Sequence, residues 1–424
     1  MKVLLATDSF PPVCGGSGWS TWELARGLRA RGHDVLVVHA NPGAPAGVRG
    51  RTYDDLRVLE FGVAAPRLPY VRNYFKNERL WPALAAEIAR LVDRERIDVV
   101  HGQHVMTALP SIAGAHARGI PAVCTVRDYW PVCYWSDLIH TRDGMDLCPA
   151  CSAQMMTVCV RPRAGALWPA ALPLIPYMRG NLARKRSGLA EADTVIAVSA
   201  TIAADLRARA PELSATTVEV IPNPVDVQGL RRRADATTPP LTQPYALYLG
   251  KLAPNKGAAH LVDGAERAAL DWPLVIVGDG PDRPGLEAAA ARSPRDIRFV
   301  GWVDGTETAR WLRHASLLVF TSRGPESLSR VLIEASALGV PIAAMNTGGT
   351  PDIVTHGVTG LLSTSPASLA DDVRRLRDDE PMRRRLGAAA RSHAESAFDA
   401  RAVIDRIAAI YRSVTTAARH PRPR

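Results

Sequence analysis

The sequence predicts an α/β protein of two doubly wound domains, each a parallel sheet with helices on both faces. Three observations predict it. Short apolar runs alternate with amphipathic, helix-like stretches through the first half; the alternation restarts near Tyr245; and RRRADATTPPLTQP, rich in Thr, Pro and charge, separates the two series. A chain of 424 residues is also long for one core, since a domain usually takes about 100 to 200 residues. Strands covered on both faces read as continuous apolar runs, which is the form these take.

Taken in order, KVLLATD reads as the first strand, GWSTWELARGLRARGH as an amphipathic helix ending near Gly32, and DVLVVHA as the next strand. DVVHGQH, AVCTVRD and TVIAVS are further buried strands, separated by helix-like stretches such as ERLWPALAAEIARLVDRER. In the second half YALYLG, PLVIVGDG, IRFVGW, LLVFTS and PIAAMN are strands, and AAHLVDGAERAAL, GTETARWLRHA and ESLSRVLIEASALG are helices. From Pro366 onward three helix-like stretches follow without strands, ending in AFDARAVIDRIAAIYRSVTTAA. Ligands of such sheets bind beyond the C-terminal strand ends. The loops after LLATD, VVHGQH, TVRD, YLG, IVGDG and FTS are therefore expected to line a cleft between two facing domains.

A hydrophobic content of 47% with 22% charged residues describes an ordinary globular protein and excludes a disordered chain. The first apolar run ends at Asp8, too short for a signal peptide or a membrane span, so a cytoplasmic location is expected. The net charge of +10 includes RRR at 231–233, ARKR at 183–186, RRR at 383–385 and the tail ARHPRPR. Such a surface attracts anions, unless the arginines only coat solvated faces. No aromatic-interleaved basic stripe, helix-turn-helix or zinc-finger spacing speaks for nucleic acid. Diphosphates and the anionic inner face of a membrane fit better.

Several motifs carry chemistry. Glu326 and Glu334 stand with seven residues between them in TSRGPESLSRVLIEASALGVPIAA. On one helix, positions i and i+8 share a face and lie about 12 Å apart, a span that lets two carboxylates meet two sugars of one nucleotide sugar. After the first strand, DSFPPVCGGSGWS supplies Gly15 and Gly16, whose backbone N–H groups can approach a diphosphate at a helix start. GKLAPNKG supplies Gly250, Lys251 and Lys256, two ammonium groups able to neutralise a leaving diphosphate. NTGGTPDIV, with Gly348 and Gly349, is read as close backbone packing, and GDGP at 278–281 as a turn lining the nucleotide site. His101 and His104, in DVVHGQH, are further candidates for ligand contact or for a structural hydrogen bond.

The Glu326–Glu334 segment resembles the E-x7-E signature of retaining glycosyltransferases of family 4, which have the GT-B fold. The other motifs fall in that family's order, similar to FPP-x-x-GG, G-R-L-x-x-x-K-G with Lys251 for the usual Arg, and GG-x-P-E with Asp352 for Glu. The resemblance implies a metal-independent transferase that moves a sugar from a nucleotide sugar, UDP-linked by preference, to a glycan, lipid-linked or secondary-metabolite acceptor, as in polysaccharide biosynthesis. It implies catalytic roles for Glu326, Lys256, Lys251 and Arg127, the last standing where the family usually has His. It implies donor binding by Gly15, Gly16, Gly250, Lys251, Lys256, Glu326, Ser327, Leu328, Ser329 and Glu334, with no cofactor for catalysis. The expected domains are an N-terminal, acceptor-side unit at 1–230, completed by a C-terminal helix at 398–416, a donor-binding unit at 240–397, and a flexible basic tail at 417–424. The rival reading is a catalytically silent GT-B scaffold subunit, which Arg127 and the Ser327-Leu328 pair permit.

Cys133, Cys148, Cys151 and Cys159 lie close together in an insertion at 133–159. Four such thiols suit a structural zinc site; unrelated reduced thiols and an iron-sulfur or redox centre are the alternatives. Downstream, ALWPAALPLIPYMRGNLARKR joins an apolar, aromatic stretch to a basic one. Prolines 169, 173 and 176 exclude a continuous spanning helix. The segment is expected either to rest on an anionic membrane surface or to cover an acceptor or a neighbouring domain.

Overall fold

The computed structural model describes residues 1–42, 44–64, 74–140 and 147–419. The chain divides into two compact units, Met1–Leu138 with Cys148–Pro224 and Ala400–Arg424, and Ile139–Leu147 with Val225–Asp399.

The sheet of the first unit holds β1 (Lys2–Thr7), β2 (Asp34–Pro42), β3 (Gly47–Tyr53), β4 (Leu56–Val63), β5 (Val99–Gly102), β6 (Ala122–Val126), β7 (Thr194–Ala197) and β8 (Val218–Val220). Their order is β3-β4-β2-β1-β5-β6-β7-β8, and every pair is parallel except β3 with β4. The order reverses between β1 and β5, so the two chain crossovers leave in opposite directions there and open a crevice at the strand ends. In the second unit β9 (Ala246–Leu249), β10 (Leu274–Val277), β11 (Ile297–Gly301), β12 (Leu317–Phe320), β13 (Ile342–Met345) and β14 (Leu361–Ser363) are ordered β11-β10-β9-β12-β13-β14. Its reversal falls between β9 and β12.

Burial explains which strands could be read from sequence. The residues of β5, β6, β7, β10, β12 and β13 are all buried, and each is an apolar run. Four strands are missed: β4, eight residues long and largely buried between β3 and β2, and three that are peripheral or short. GVRGRTY forms β3, an edge strand almost wholly exposed along its length, and β8 and β14 have three residues each. An edge strand with no core to face carries no hydrophobic period to detect.

Three sequence expectations need correction. The helix after β12 spans only Arg330–Ala337, with Ser329 as its N-cap, so Glu326 lies in the loop before it and not on the same helix as Glu334. The i, i+8 geometry therefore does not describe the pair. Second, RRRADATTPPLTQP is not linker throughout: the helix Val227–Asp235 takes its first five residues, and the units part between Pro224 and Val225 rather than between 230 and 240. Third, the basic clusters are largely engaged. Lys185 is buried, Arg184 pairs with Glu78, Arg231 pairs with Glu395, and Arg384 pairs with Glu380 at 2.5 Å. Pairing and burial thin the anion-attracting surface that the sequence alone suggested.

The three final helices are Pro366–Asp378, Glu380–Ala397 and Ala400–Arg419. The last packs into the first unit, where Val403, Ile404, Ile407, Ala408 and Tyr411 share a core with Val3, Leu5, Leu24, Leu28 and Val99. It runs beyond 416, so the basic tail lies mostly at 420–424, outside the described residues. The ALWPAALPLI stretch folds as short turns at Gly165–Leu167, Trp168–Ala171 and Leu172–Leu174 before the helix Ile175–Ala190. Among the described residues no helix is long and apolar enough to cross a membrane.

Candidate functional site

In the second unit the predicted residues gather at the β9/β12 reversal. Lys256 follows β9, Glu326 follows β12, and the Lys256 ammonium lies 2.5 Å from Glu326 Oε1. Ser322 donates its hydroxyl to the same oxygen at 2.5 Å. Two loops are laced together beneath this contact. Arg323 and Gly324 each donate a backbone N–H to the Asn255 carbonyl, at 3.1 and 2.8 Å, and the Thr321 hydroxyl donates to the Lys256 carbonyl at 2.8 Å. These bonds fix the lysine against the carboxylate before any ligand arrives. Lys256 keeps about a third of its side chain exposed and Glu326 12%, so the pair is reachable.

The glycine loops hold this arrangement from behind. Gly348, with φ +50°, packs so closely on Glu326 that a Cβ there would come within 2.1 Å of the Glu326 carbonyl oxygen. Gly349 donates its N–H to that oxygen at 2.6 Å. Only glycine allows the backbones to approach this far in that conformation. Gly278 of GDGP, with φ +134°, presses likewise on the Gly250 carbonyl, where a Cβ would lie at 1.9 Å.

The remaining donor-side candidates are placed unevenly. Glu334, on the helix, accepts from Arg330 Nε at 2.7 Å. Leu328 and Ser329 are buried, Ser327 half-buried, and no side chain caps the helix that starts at Arg330. Lys251 is exposed at the end of β9, with its carbonyl held by the Tyr248 hydroxyl at 2.9 Å.

In the first unit the β1/β5 reversal carries a cluster that the sequence reading did not assemble. Asp8 follows β1, His104 follows β5 and Asp128 follows β6. His104 Nδ1 lies 2.9 Å from Asp8 Oδ2, and its Nε2 lies 3.0 Å from Asp128 Oδ2. A ring between two carboxylates needs a proton on each nitrogen, so the cluster holds an imidazolium. Burial disfavours its charge, but Asp8 and Asp128 more than offset this and raise the His104 pKa to about 10. Burial likewise works against the Asp8 carboxylate, and the charge of His104 overrides it, leaving the Asp8 pKa lowered. A signal was present: all three residues stand just beyond predicted buried strands.

Arg127 is not presented for ligand contact. Its side chain is buried, and the guanidinium bonds Asn223 Oδ1 at 2.9 Å, the Gln103 carbonyl at 3.1 Å and Thr21 Oγ1 at 3.3 Å. It braces the ends of β5, β6 and β8 against the helix Gly16–Arg29. Burial pushes its pKa down to about 10, against the pull of Asp8 and Tyr411. His101 is equally internal, with Nδ1 2.5 Å from the Tyr411 hydroxyl and Nε2 2.7 Å from Thr125 Oγ1. Burial and the charge of Arg127 keep it neutral, its pKa well below the usual value. Gly15 and Gly16 open the helix after β1, which has no side-chain cap and no acidic residue in its first turn. A Cβ on Gly15 would meet nothing within 4 Å, whereas one on Gly18 would strike Cys14 Sγ at 2.6 Å. The glycine required by packing is thus Gly18, and the space before Gly15 is open.

Among the described residues no three His, Cys, Asp or Glu side chains are grouped so as to hold a metal ion. Cys133 Sγ lies 3.9 Å from Asp137 Oδ1, and Cys148 and Cys159 turn to the carbonyls of Ala150 and Met156 at 3.2 and 3.4 Å.

Comparison with known proteins identifies the family. Residues 14–228, half of the chain, match the model described as Glycosyltransferase Family 4, and residues 232–393 match Glycosyl transferases group 1. The chain belongs to glycosyltransferase family 4. Over its whole length this glycosyltransferase is 29% identical to a glycogen synthase of Mycobacterium tuberculosis, covering 97% of that protein. Its structure is similar to sucrose-phosphate synthase from Thermosynechococcus elongatus, with a TM-score of 0.69, 20% identity and coverage of 98% and 99% of the two chains. It is also similar to Anabaena HepE in complex with UDP, with a TM-score of 0.65, 19% identity and coverage of 97% and 100%. The glycosyltransferase has the GT-B fold.

Proposed function

We propose that this glycosyltransferase moves a sugar from a UDP-linked donor, with retention at the anomeric carbon, to a glycan, lipid-linked or secondary-metabolite acceptor. The observation that carries the reading is the Lys256–Glu326–Ser322 cluster at the β9/β12 reversal. An ammonium and a carboxylate held together at a strand end offer a sugar diphosphate both things it needs. The carboxylate accepts from donor-sugar hydroxyls through two oxygens, and the ammonium stabilises charge that grows on the leaving diphosphate. Lys251, exposed beside it, adds a second cation. The uncapped helix at Arg330 adds first-turn N–H groups, and Glu334 accepts from the ribose hydroxyls in exchange for Arg330. The UDP complex of the similar HepE structure supports uridine as the base.

Retention is supported by the membership of the chain in glycosyltransferase family 4, whose E-x7-E signature the Glu326–Glu334 segment resembles. Arg127, which stands where that family usually has His, is buried against protein acceptors, and a guanidinium cannot act as a base at neutral pH.

The test is a thermal-shift panel of UDP-, GDP- and ADP-sugars on wild type and Glu326→Ala, followed by mass spectrometry of donor hydrolysis and NMR of the released sugar. Stabilisation by a UDP-sugar, hydrolysis abolished by Glu326→Ala and an unchanged anomer are expected. A shift with GDP- or ADP-sugars alone would overturn the base assignment. An inverted product would overturn retention, and a donor that binds without any turnover, acceptor or not, would favour the silent scaffold.

A further inference from the structure

We propose that the turns between Gly165 and Leu174 dock this chain on an anionic lipid surface. The sequence around them is one-sided in charge. From Leu147 to Ala190 there is no Asp or Glu, while Arg161, Arg163, Arg179, Arg184, Lys185 and Arg186 all fall inside. The same stretch leaves apolar side chains outside: Leu167 is 75% exposed, Leu174 43% and Val158 42%, and Pro169 and Pro173 are exposed with them. These side chains are not a loose core. Met156 and Val160 of the helix Ala153–Ala164 pack with Ile175, Met178 and Leu182 of the helix Ile175–Ala190, so the turns that join the two helices stand on a packed base.

The cations divide into those already engaged and those left for a partner. Asp137 pairs with Arg163 at 2.6 Å, Glu78 pairs with Arg184, Arg186 donates to the Pro131 carbonyl at 2.9 Å, and Lys185 is buried. Arg161 and Arg179 remain. Both are exposed, neither forms an ion pair among the described residues, and they flank the turns on the two helices. The Arg161 guanidinium lies 5.4 Å over the Trp168 ring. An indole and leucines at the headgroup boundary, with guanidinium groups on the phosphates above, is the combination that binds a charged lipid interface. Three exposed large side chains fall short of the roughly 20–30 residues a side of a stable protein interface, whereas burial of about 5–10 Å suffices at a lipid surface. Pro169, Pro173 and Pro176 keep the segment from spanning, so it rests on that surface.

The experiment is flotation of the full chain with vesicles of phosphatidylcholine alone and of phosphatidylcholine mixed with phosphatidylglycerol, at low and high salt. Binding to the mixed vesicles only, weakened by salt, is expected. Leu167→Ser with Leu174→Ser, and separately Arg161→Gln with Arg179→Gln, should each weaken it about tenfold. The charge-matched pair Arg232→Gln with Arg233→Gln should leave it unchanged, and an unaltered Tm shows that each variant folds. Equal binding to both kinds of vesicle, binding to neither, or a loss as large in the charge-matched pair would overturn the proposal. So would self-association that the leucine pair abolishes, which would assign the apolar turns to a second copy of this chain. Donor hydrolysis in solution is expected to be the same in all these variants, so a failure of docking and a failure of the transferase reading are told apart.

Discussion

Arg127 and His104 have exchanged the roles their sequence positions suggest. Arg127 stands in the motif position where the family resemblance expects a histidine, yet its fork is turned inward onto Thr21, Gln103 and Asn223. His104, which the motif does not name, is held between two acids. Removing the ring would leave Asp8, 8% exposed, as an unpaired buried carboxylate, at a cost of roughly 3 kcal/mol. The pH dependence follows from the raised pKa. A histidine at about 10 in the folded state, against about 6.5 unfolded, contributes fully below pH ~6.5 and loses its contribution as pH rises through 10. The gap in Tm between wild type and His104→Ala should therefore be widest near pH 6 and narrow steadily toward pH 10; a gap that grows with pH would contradict the imidazolium. At the other cluster, Glu326→Gln keeps the shape but removes the charge opposed to Lys256. Its kcat/KM should fall about 100-fold, the scale for losing one group that acts on developing charge, as steady-state transfer or donor hydrolysis would record.

At the scale of elements, the geometry of Glu326 is set by loops rather than by the helix that follows. The E-x7-E spacing is therefore not a helical ruler here: Glu326 lies in a loop clamped by the NTGGT loop, and Glu334 one turn into the helix. Gly348→Ala tests the clamp. The new Cβ would sit 2.1 Å from a backbone oxygen in a left-handed conformation, which costs about 1–3 kcal/mol. Activity is expected to fall nearly as far as in Glu326→Ala while the protein remains folded, because the loop that carries the carboxylate must shift. Full activity in Gly348→Ala would show that the clamp is not needed. The β3–β4 hairpin makes the complementary point. Its outer strand is polar and exposed, so nothing in its composition separates it from a loop until β4 provides the ladder it joins.

For the whole molecule, the decisive contact is between the chain's last helix and its first strands. Ile404 Cδ1 reaches within 2.1 Å of where a Gly27 Cβ would be, and Tyr411 bonds His101 inside the same core. A chain ending at residue 399 should lose the first unit's cooperative unfolding, with hydrogen-exchange protection surviving only in the second; retained protection of β1 and β5 would refute this dependence. Tyr411→Phe is the gentler probe. It removes one buried hydrogen bond, worth about 1 kcal/mol, and should lower Tm modestly without loss of the fold.

The doubly wound class, most of the buried strands and the Lys256 loop were legible in the residues because they depend on local properties: apolar runs, helical period, and glycine beside strand ends; the largely buried β4 and the loop position of Glu326 were not. Nor were the His104 cluster, the inward Arg127 and the docking of the final helix. Each joins residues that the chain keeps far apart, 96 positions between Asp8 and His104 and 310 between His101 and Tyr411. Local pattern states what a segment becomes. Only the crossing order of the sheet, which sets β1 beside β5 and β9 beside β12, decides which strand ends meet and which charges must neutralise one another.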